Sequence, residues 1–288
     1  SMAAKRTFTI GAIIPTMENS IFARGLQAFQ EELNRRGYTL LVSSSAYKSD
    51  AEEEQIRTLV ARGADGLLLI GHDRDPAIYK YLERQRVPVL VAWSYDDTAH
   101  APSIGFDNRA AMRGLTEKII ELGHSRIAMI SGISLQNDRA RMRILGVRDA
   151  MEAHGLDANA LTLVEVPYEF SEGATAFAEI MARAENPSVV LCGNDVLAAG
   201  ALRSAKQLGL KVPDHVSITG FDDIELAQVV SPELTTVHVP HREMGTLAAQ
   251  ELVGMIEAKR NGVSQKLEAE IIERASAGAA RGYPESAT

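Results

Sequence analysis

Short apolar runs rich in β-branched residues alternate with amphipathic segments along almost the whole chain, and this alternation is what most restricts its fold. The first part reads FTIGAII, IFARGLQAFQEELNRR, YTLLVSS, SDAEEEQIRTLVAR, GLLLIG, PAIYKYLERQ and VPVLVAW. Apolar runs of this length predict buried strands, and a repeat of three to four residues predicts helices. Because strands that alternate with helices form parallel sheets through right-handed crossovers, we predict an α/β fold.

The alternation stops at HAPSIGFDN and starts again after a helix predicted at about 110–122. The second set comprises RIAMISG, a helix at about 138–153, LTLVEVP, a helix after Ser171, SVVLCG, a helix at about 196–208, and VSITGF. A chain of 288 residues has room for about two domains of roughly 100 to 150 residues each. We therefore predict two doubly wound lobes, each with a parallel sheet.

Two helix ends carry recognisable signals. Gly37 follows the first amphipathic segment and is well placed to end that helix in the left-handed conformation. Ser49 and Glu52 have the spacing of a capping box at the start of the second helix.

Polar residues follow nearly every predicted strand. In open α/β sheets the ligand binds beyond the carboxyl ends of the strands, so these residues are the candidates for function. Because they come from both sets, a site between the lobes would draw on each. The stretches are PTMENS at 15–20, GHDRD at 71–75, WSYDD at 93–97, SGISLQND at 131–138, GND at 193–195 and GFDD at 220–223.

Composition excludes several classes of function. The net charge of −8 argues against a chain that coats nucleic acid by itself. No apolar run approaches the ~20 residues of a membrane span, and the single Cys192 allows neither an internal disulfide nor a cysteine-rich metal site. GxSxG, P-loop and HExxH motifs are missing, as is GxGxxG after the first strand. We predict that the chain is not an enzyme and needs no metal or cofactor.

Taken in order, several stretches resemble the effector-binding core of the lactose-repressor/galactose-repressor (LacI/GalR) family of bacterial transcription regulators. The periplasmic sugar-binding proteins are more distantly similar. The resemblance extends from about Thr7 to Gly278. It is carried by IGAIIP with NSIFA, ADGLLLIG, SIGFDN, ELGHSRIAMISG, RMRILGVRDAM, CGNDVLAAGALR, and LKVPDHVSITGFDDIELAQVVSPELTTV followed by EMG.

The resemblance implies a periplasmic-binding-protein-like fold of type I, with two lobes joined by a three-stranded hinge. The implied N-terminal lobe is 7–106 plus 240–267, and the implied C-terminal lobe is 107–239 plus 268–280. Family members begin with a DNA-binding headpiece, whereas here residues 3–6 (AAKR) run almost directly into the first strand. The headpiece is therefore expected to be absent from this chain. A naturally headless binding protein would look the same.

The resemblance also implies ligand contacts. Asp222, Asn194 and Arg143 match family positions that bind effector hydroxyls, and Asn19, Ile21 and Phe22 match residues that line the site. The residues themselves leave alternatives open. Asp222 could cap the next helix, as we expect of Asp223, and Asp195 could be a cap or a contact. Arg143 could lie on a solvated face, and Phe22 could belong to the core.

Two positions depart from the sugar-responsive members. Trp93-Ser94 stands where many have an Asp-Arg pair, and Val239 stands where many have Gln. A stacking surface thus replaces a charged contact, and the effector is expected to be a sugar or sugar derivative of amphipathic or glycosidic character. Trp93 could instead fill the core. His72 is a candidate border residue, although a lone histidine is more often on the surface.

The leading hypothesis is a ligand-sensing domain of a transcriptional repressor, homodimeric and cytoplasmic. Effector binding would control its affinity for operator DNA, which it contacts only through the headpiece, and no membrane is involved. The alternative is an exported solute-binding protein of a transport system.

Overall fold

The computed structural model describes residues 5–282, so Ala3 and Ala4 of the AAKR stretch lie outside the described residues. The chain divides into two compact units. The first runs to Asp107 and includes Pro240–Glu268, and the second is Asn108–Val239 with the chain from Ala269 onward. The chain therefore passes from one unit to the other at three points.

The elements are numbered along the chain, with bounds as follows: β1 (Thr9–Ile14), α1 (Ala23–Arg35), β2 (Thr39–Ser44), α2 (Ser49–Ala61), β3 (Gly66–Ile70), α3 (Pro76–Arg84), β4 (Val89–Ala92), β5 (Ser103–Phe106), α4 (Asn108–Glu121), β6 (Ile127–Gly132), α5 (Asp138–Ala153), β7 (Thr162–Val166), α6 (Phe170–Met181), β8 (Val189–Cys192), α7 (Asp195–Gln207), β9 (Ser217–Thr219), α8 (Leu226–Val229), β10 (Thr236–His238), α9 (His241–Ala258), β11 (Gln265–Leu267) and β12 (Glu270–Ile272).

The first unit is built on a six-stranded parallel sheet in the order β11-β5-β4-β3-β1-β2. Its central strands are fully buried, and β3 is the GLLLI run of the sequence. Because both faces of a parallel sheet are covered by helices, such strands are apolar throughout rather than alternating. One buried cluster packs β1 and β3 against α2 and α3 through Ile13, Leu67, Ile56 and Ile78.

The second unit has a four-stranded parallel sheet in the order β7-β6-β8-β9. Its core packs Ile130 and Val190 of the sheet against Phe177 of α6 and Leu197 of α7. A separate antiparallel pair joins β10 to β12. The predicted α/β class with parallel sheets is confirmed.

One of the two predicted helix ends is right and the other is wrong. Helix α1 ends before Gly37, which has φ +83°. Helix α2, however, begins at Ser49 itself, after Lys48, and no side chain caps it. The carboxylate of Glu52 accepts a hydrogen bond from Nε of Arg74 at 2.8 Å instead of closing a capping box. A buried guanidinium needs an anionic partner more than an exposed helix end needs a cap, because water can satisfy the latter.

Helices α1 and α9 of the first unit approach each other closely through two glycines. A Cβ added at Gly245 would lie 2.0 Å from the carbonyl oxygen of Gly25. That distance is far inside van der Waals contact, so the backbones could not approach as they do with any larger residue.

We expect Gly245→Ala to lower the free energy of unfolding by about 1 to 3 kcal/mol, because the added methyl group forces the two helices apart. Gly254→Ala in the same helix is the matched control, since its Cβ would meet only the flexible end of Arg260. Replacing a helical glycine there should leave the free energy of unfolding unchanged or raise it by up to about 1 kcal/mol. Urea denaturation measures both, and equal effects of the two substitutions would contradict the close approach.

Candidate functional site

Five predicted site residues lie at the carboxyl edge of the first unit's sheet. The strands β1, β3 and β4 are neighbours in that sheet, so the residues that follow them are gathered at one edge. The backbone N–H of Gly71 after β3 donates to the carbonyl of Ala92 at the end of β4, at 3.0 Å. The five are Asn19, Ile21 and Phe22 after β1, His72 after β3, and Trp93 after β4.

Trp93 is packed inside the first unit, with only 2% of its surface exposed. Its Nε1 donates to Nδ1 of His241 at 3.3 Å, and its ring meets Phe22 edge to face at 5.2 Å between centroids. A Cβ at Gly25 would lie 2.6 Å from the indole, so the ring occupies space that only glycine leaves open. This environment is the one expected if Trp93 fills the core of the unit. The backbone of Trp93 has φ +62°, a conformation that costs energy and is found more often at functional sites. That Trp93 stacks on a ligand stays a prediction.

The other predicted residues of this edge are held by local bonds. The side-chain oxygen of Asn19 accepts from the N–H of Ile21 at 3.2 Å, which fixes the turn that leads into α1. Ile21 and Phe22 are buried. His72 is half-buried, and its carbonyl accepts from the Tyr79 hydroxyl at 2.9 Å.

Arg74 is a residue of this edge that the sequence did not single out. Its side chain is buried, and besides Glu52 it donates to the carbonyl of Gly71 at 2.7 Å and to that of Ile70 at 3.2 Å. Arg74 thereby fixes the loop that carries His72. The GHDRD stretch was noted as a strand end, but nothing in its spacing indicates which of its charges is buried.

In the second unit, Arg143, Phe221 and Asp222 lie together at the carboxyl edge of the sheet. Arg143 projects from α5, where its Nε donates to Oδ1 of Asn108 at 2.8 Å and its Nη1 donates to the carbonyl of Gly193 at 2.9 Å. Its guanidinium carbon lies 3.9 Å from the centre of the Phe221 ring. Arg143 is 5% exposed, so the solvated-face alternative is wrong.

Asp222 is buried beside this arginine, with 1% of its surface exposed. Its backbone N–H donates to the carbonyl of Val237 at 2.9 Å, and its carbonyl accepts from the N–H of Val239 at 3.3 Å. Burial raises the pKa of the Asp222 carboxyl to about 7, although the positive charges of Arg143 and Arg139 act to lower it. The group is therefore poised to change its charge near neutral pH.

Asn194 and Asp195 both have structural partners, and of the two it is Asn194 that caps a helix. Asn194, and not Asp195, is the N-cap of α7, since its Oδ1 accepts from the N–H of Leu197 at 2.9 Å. Asp195 is fully buried and accepts from the hydroxyl of Thr236 at 2.7 Å and from the N–H of Ile224 at 2.8 Å. Burial and the nearby Asp222 raise the pKa of Asp195 to about 8. Contact of Asn194 with a ligand stays a prediction, and its amide N–H group is the part that the cap does not use.

The predicted capping role of Asp223 is wrong. Helix α8 begins only at Leu226, after Glu225. The Asp223 carboxylate accepts instead from Nη1 of Arg274 at 2.7 Å and bonds to Nδ1 of His238 at 2.8 Å. Burial acts to raise the pKa of Asp223, but the hydrogen bonds from Arg274 and His238 outweigh it and hold that pKa below its ordinary value. The guanidinium of Arg274 and the imidazole of His238 compete more strongly for the carboxylate than a helix N-terminus does.

Two further residues of this edge were missed. Tyr168 follows β7, is hydrogen-bonded to Arg143, and has its pKa raised by burial. A Cβ at Gly132 would lie 2.1 Å from its ring, so the tyrosine lies directly against the end of β6. Arg139 is buried one helical turn before Arg143 and pairs with Asp138 at 3.2 Å. The strand-end rule could have found Tyr168, because PYEF directly follows the LTLVEV run.

Within residues 5–282, no three histidine, cysteine or carboxylate side chains are placed to hold a metal ion together. His238 and His241 belong to no such group among these residues. His238 bonds to Asp223, and Nδ1 of His241 accepts from the indole N–H of Trp93. Over the same residues, no helix combines the length and the apolar character that crossing a membrane requires.

The raised pKa of Asp222 predicts how stability depends on pH. The folded state keeps this proton up to about pH 7, whereas an unfolded aspartate loses it near ~3.9. Between those values the folded state binds more protons, so this group makes the free energy of unfolding fall as pH rises, by up to ~1.4 kcal/mol per pH unit. In urea denaturation between about pH 5 and about pH 7, Asp222→Asn should make the measured fall shallower, and the slope that remains includes the contribution of Asp195, whose pKa is also raised.

Asp149→Asn is the control for that measurement. The guanidinium of Arg109 holds the pKa of Asp149 below its ordinary value, so this carboxyl stays ionised over the same pH range. Its removal should leave the slope as it is in the unsubstituted protein. A slope that Asp222→Asn does not change would contradict a buried, proton-holding Asp222.

Comparison with known proteins agrees with this architecture. Residues 116–277 match the family of periplasmic binding protein-like domains. The chain is 32% identical over 249 residues to the HTH-type transcriptional regulator GntR of Escherichia coli (strain K12), a match that covers 86% of this chain and 74% of that protein.

Two solved structures are similar over nearly the whole chain. One is a transcriptional regulator of LacI family from Burkhoderia phymatum, with a TM-score of 0.85, 26% identity, and coverage of 94% of this chain and 99% of that one. The other is a transcriptional regulator CelR–cellobiose complex, with a TM-score of 0.82, 25% identity, and coverage of 94% and 85%. The chain belongs to the LacI family of transcription regulators, whose sensing part is a periplasmic binding protein-like domain.

Proposed function

We propose that this chain is the effector-binding domain of a transcriptional repressor, and that it binds a sugar or sugar derivative through the residues at the carboxyl edges of its sheets. The observation that carries the proposal is the cluster of Arg143, Phe221 and Asp222. The guanidinium of Arg143 is a planar donor, Phe221 has an aromatic face and Asp222 is a carboxyl acceptor. All three lie together and are buried at the carboxyl end of the sheet.

Sugar hydroxyls suit this cluster because each hydroxyl both donates and accepts a hydrogen bond. An ionised Asp222 accepts from hydroxyls with bonds roughly twice as strong as those between neutral groups. Arg143 supplies donors in a fixed plane, and its two neutral partners, Asn108 and Gly193, leave it oriented without cancelling its charge. The tyrosine hydroxyl of Tyr168 lies beside the same arginine.

The first unit would supply the less polar contacts. Phe22 and Trp93 form an edge-to-face pair at the strand ends, and Asn19 and His72 lie at the same edge. Apolar ring faces match the C–H faces of a sugar or the aglycone of a glycoside. Such faces are compatible with the amphipathic or glycosidic effector that the sequence predicts. The cellobiose bound in the similar CelR structure is a glycoside of this kind.

We infer from the family that this regulator controls a gene by binding operator DNA. The regulator would act as a homodimer in the cytoplasm, and its two DNA-binding parts would contact operator half-sites about one helical turn apart. Effector binding changes operator affinity only if the effector binds the two states of the protein with different affinity. Because the relatives that match most of the chain are regulators, the chain is not an enzyme, and the transport alternative has no support.

A thermal-unfolding screen of pentoses, hexoses, disaccharides and aryl glycosides tests the proposal. A ligand at 100 times its Kd adds about 2.7 kcal/mol to the free energy of unfolding, so a true effector should raise Tm by several degrees. Asp222→Asn and Arg143→Gln should each abolish the rise, because each removes a contact to hydroxyls. Asp149→Asn, which changes a carboxylate remote from the cluster, should keep it. If no sugar raises Tm, or if both site variants retain the rise, the proposal is wrong.

A further inference from the structure

The loop that presents Asp222 has an unusual backbone. Asp222 has φ +106° and the next residue, Asp223, has φ +58°, although neither is glycine. Such conformations persist only where the surroundings hold them in place, and they are concentrated at functional sites.

Strand β10 and the residue after it hold the backbone of this loop. The N–H and the carbonyl of Asp222 bond to Val237 and Val239, on either side of His238. The buried Asp195 adds a second connection, since it accepts from Ile224 in the loop and from Thr236 in the strand. The loop is thus bonded to β10 directly at Asp222 and, through Asp195, at Ile224.

Asp223 connects the same loop to the segment that follows a second strand, β12. Its carboxylate joins His238 of β10 to Arg274, which lies two residues after the end of β12. Arg274 is anchored in turn, because its Nη1 donates to the carbonyl of Leu234 at 3.0 Å and its N–H donates to the hydroxyl of Thr235 at 2.9 Å. We call Asp223, His238 and Arg274 the Asp223 bridge.

The two bridged strands lie next to crossings of the chain. β10 ends at His238, and the chain passes to the first unit after Val239. β12 begins at Glu270, just after the chain has returned at Ala269. Through the Asp223 bridge, the loop that carries Asp222 is therefore bonded to β10 and to the residue that lies two positions after β12, and each of these strands lies beside a crossing of the chain.

We propose that Asp223 is a positioning residue that holds Asp222 in its binding geometry and couples effector contact at Asp222 to strands β10 and β12. This inference rests on the proposed function, because it takes Asp222 as an effector contact. His238 and Arg274 act with Asp223 as one unit, and the bridge fixes the loop in the absence of effector.

Carbon-13 NMR of the Asp222 carboxyl tests the inference without any ligand. In the unsubstituted protein this group should titrate near pH 7, surrounded by Arg143 and Arg139 on α5 and by Asp195 on α7. In Arg274→Gln, loss of the bridge should let Asp222 approach solvent, and its pKa should fall by at least about 1 unit. Removing the positive charge of Arg274 would by itself raise the pKa of Asp222. A purely electrostatic effect and a loss of positioning therefore predict pKa shifts of opposite sign.

Two more variants complete the experiment. His238→Ala breaks the other half of the bridge at a partly exposed side chain and should also lower the pKa of Asp222. Glu273→Gln is the matched control, since this exposed carboxylate beside Arg274 pairs only loosely with Lys118 at 3.4 Å, and its loss should leave that pKa unchanged. Amide exchange of Asp222 and Val239 should speed up about tenfold in the bridge variants relative to that of Met129 in the core of the unit.

A pKa of Asp222 that stays the same or rises in both bridge variants would overturn the inference. Exchange rates at Asp222 and Val239 that change no more than those at Met129 would do the same. Because no effector is present, either result leaves sugar binding by Asp222 untouched. Conversely, a sugar screen without a single binder would leave the Asp223 bridge standing.

Discussion

A carboxyl group buried at the end of a strand is the constraint on which the second unit's site depends. Burying an ionised carboxylate is costly unless charges and hydrogen bonds compensate, and Asp222 lies in such a position with a pKa of about 7. Arg143 and Arg139 favour the ionised form, while burial favours the neutral one. Burial outweighs the two arginines, and because the resulting pKa lies near neutral pH, the protonation state of Asp222 responds to whatever binds beside it.

Three aspartates around this point have different tasks that follow from their partners. Asp195 has two neutral donors and stays buried, where it joins the loop to β10. Asp223 is bonded to Arg274 and His238 and has a lowered pKa, so it forms an ionic link to Arg274 at neutral pH. Asp222 is the one next to the guanidinium and aromatic face of the candidate site. The sequence shows three acids, in GND and GFDD, and only the partners of each distinguish Asp222, the proposed effector contact, from the two that connect the loop to its surroundings.

The fold was predictable because it follows from local patterns. The alternation of apolar and amphipathic segments predicts the strands and helices, and the strand-end rule singles out Asp222 and Asn194, whereas Arg143, in the middle of a helix, was indicated only by the resemblance to the family. Caps and charge partners were not predictable, because they depend on residues distant in sequence. Asp223 finds Arg274, Glu52 finds Arg74, and Trp93 finds His241, and no spacing rule anticipates these pairs. Tyr168 was predictable, because the sequence places it directly after a predicted strand.

The central claim is that an ionised Asp222 accepts hydrogen bonds from effector hydroxyls. Isothermal titration of a sugar that raises Tm, in two buffers with different ionisation enthalpies near about pH 7, measures the protons exchanged on binding. Because the carboxyl of the unliganded protein is partly protonated there and the bound one must be ionised, we expect a net release of protons when the sugar binds to the unsubstituted protein. Binding with no proton release in the unsubstituted protein would contradict the claim.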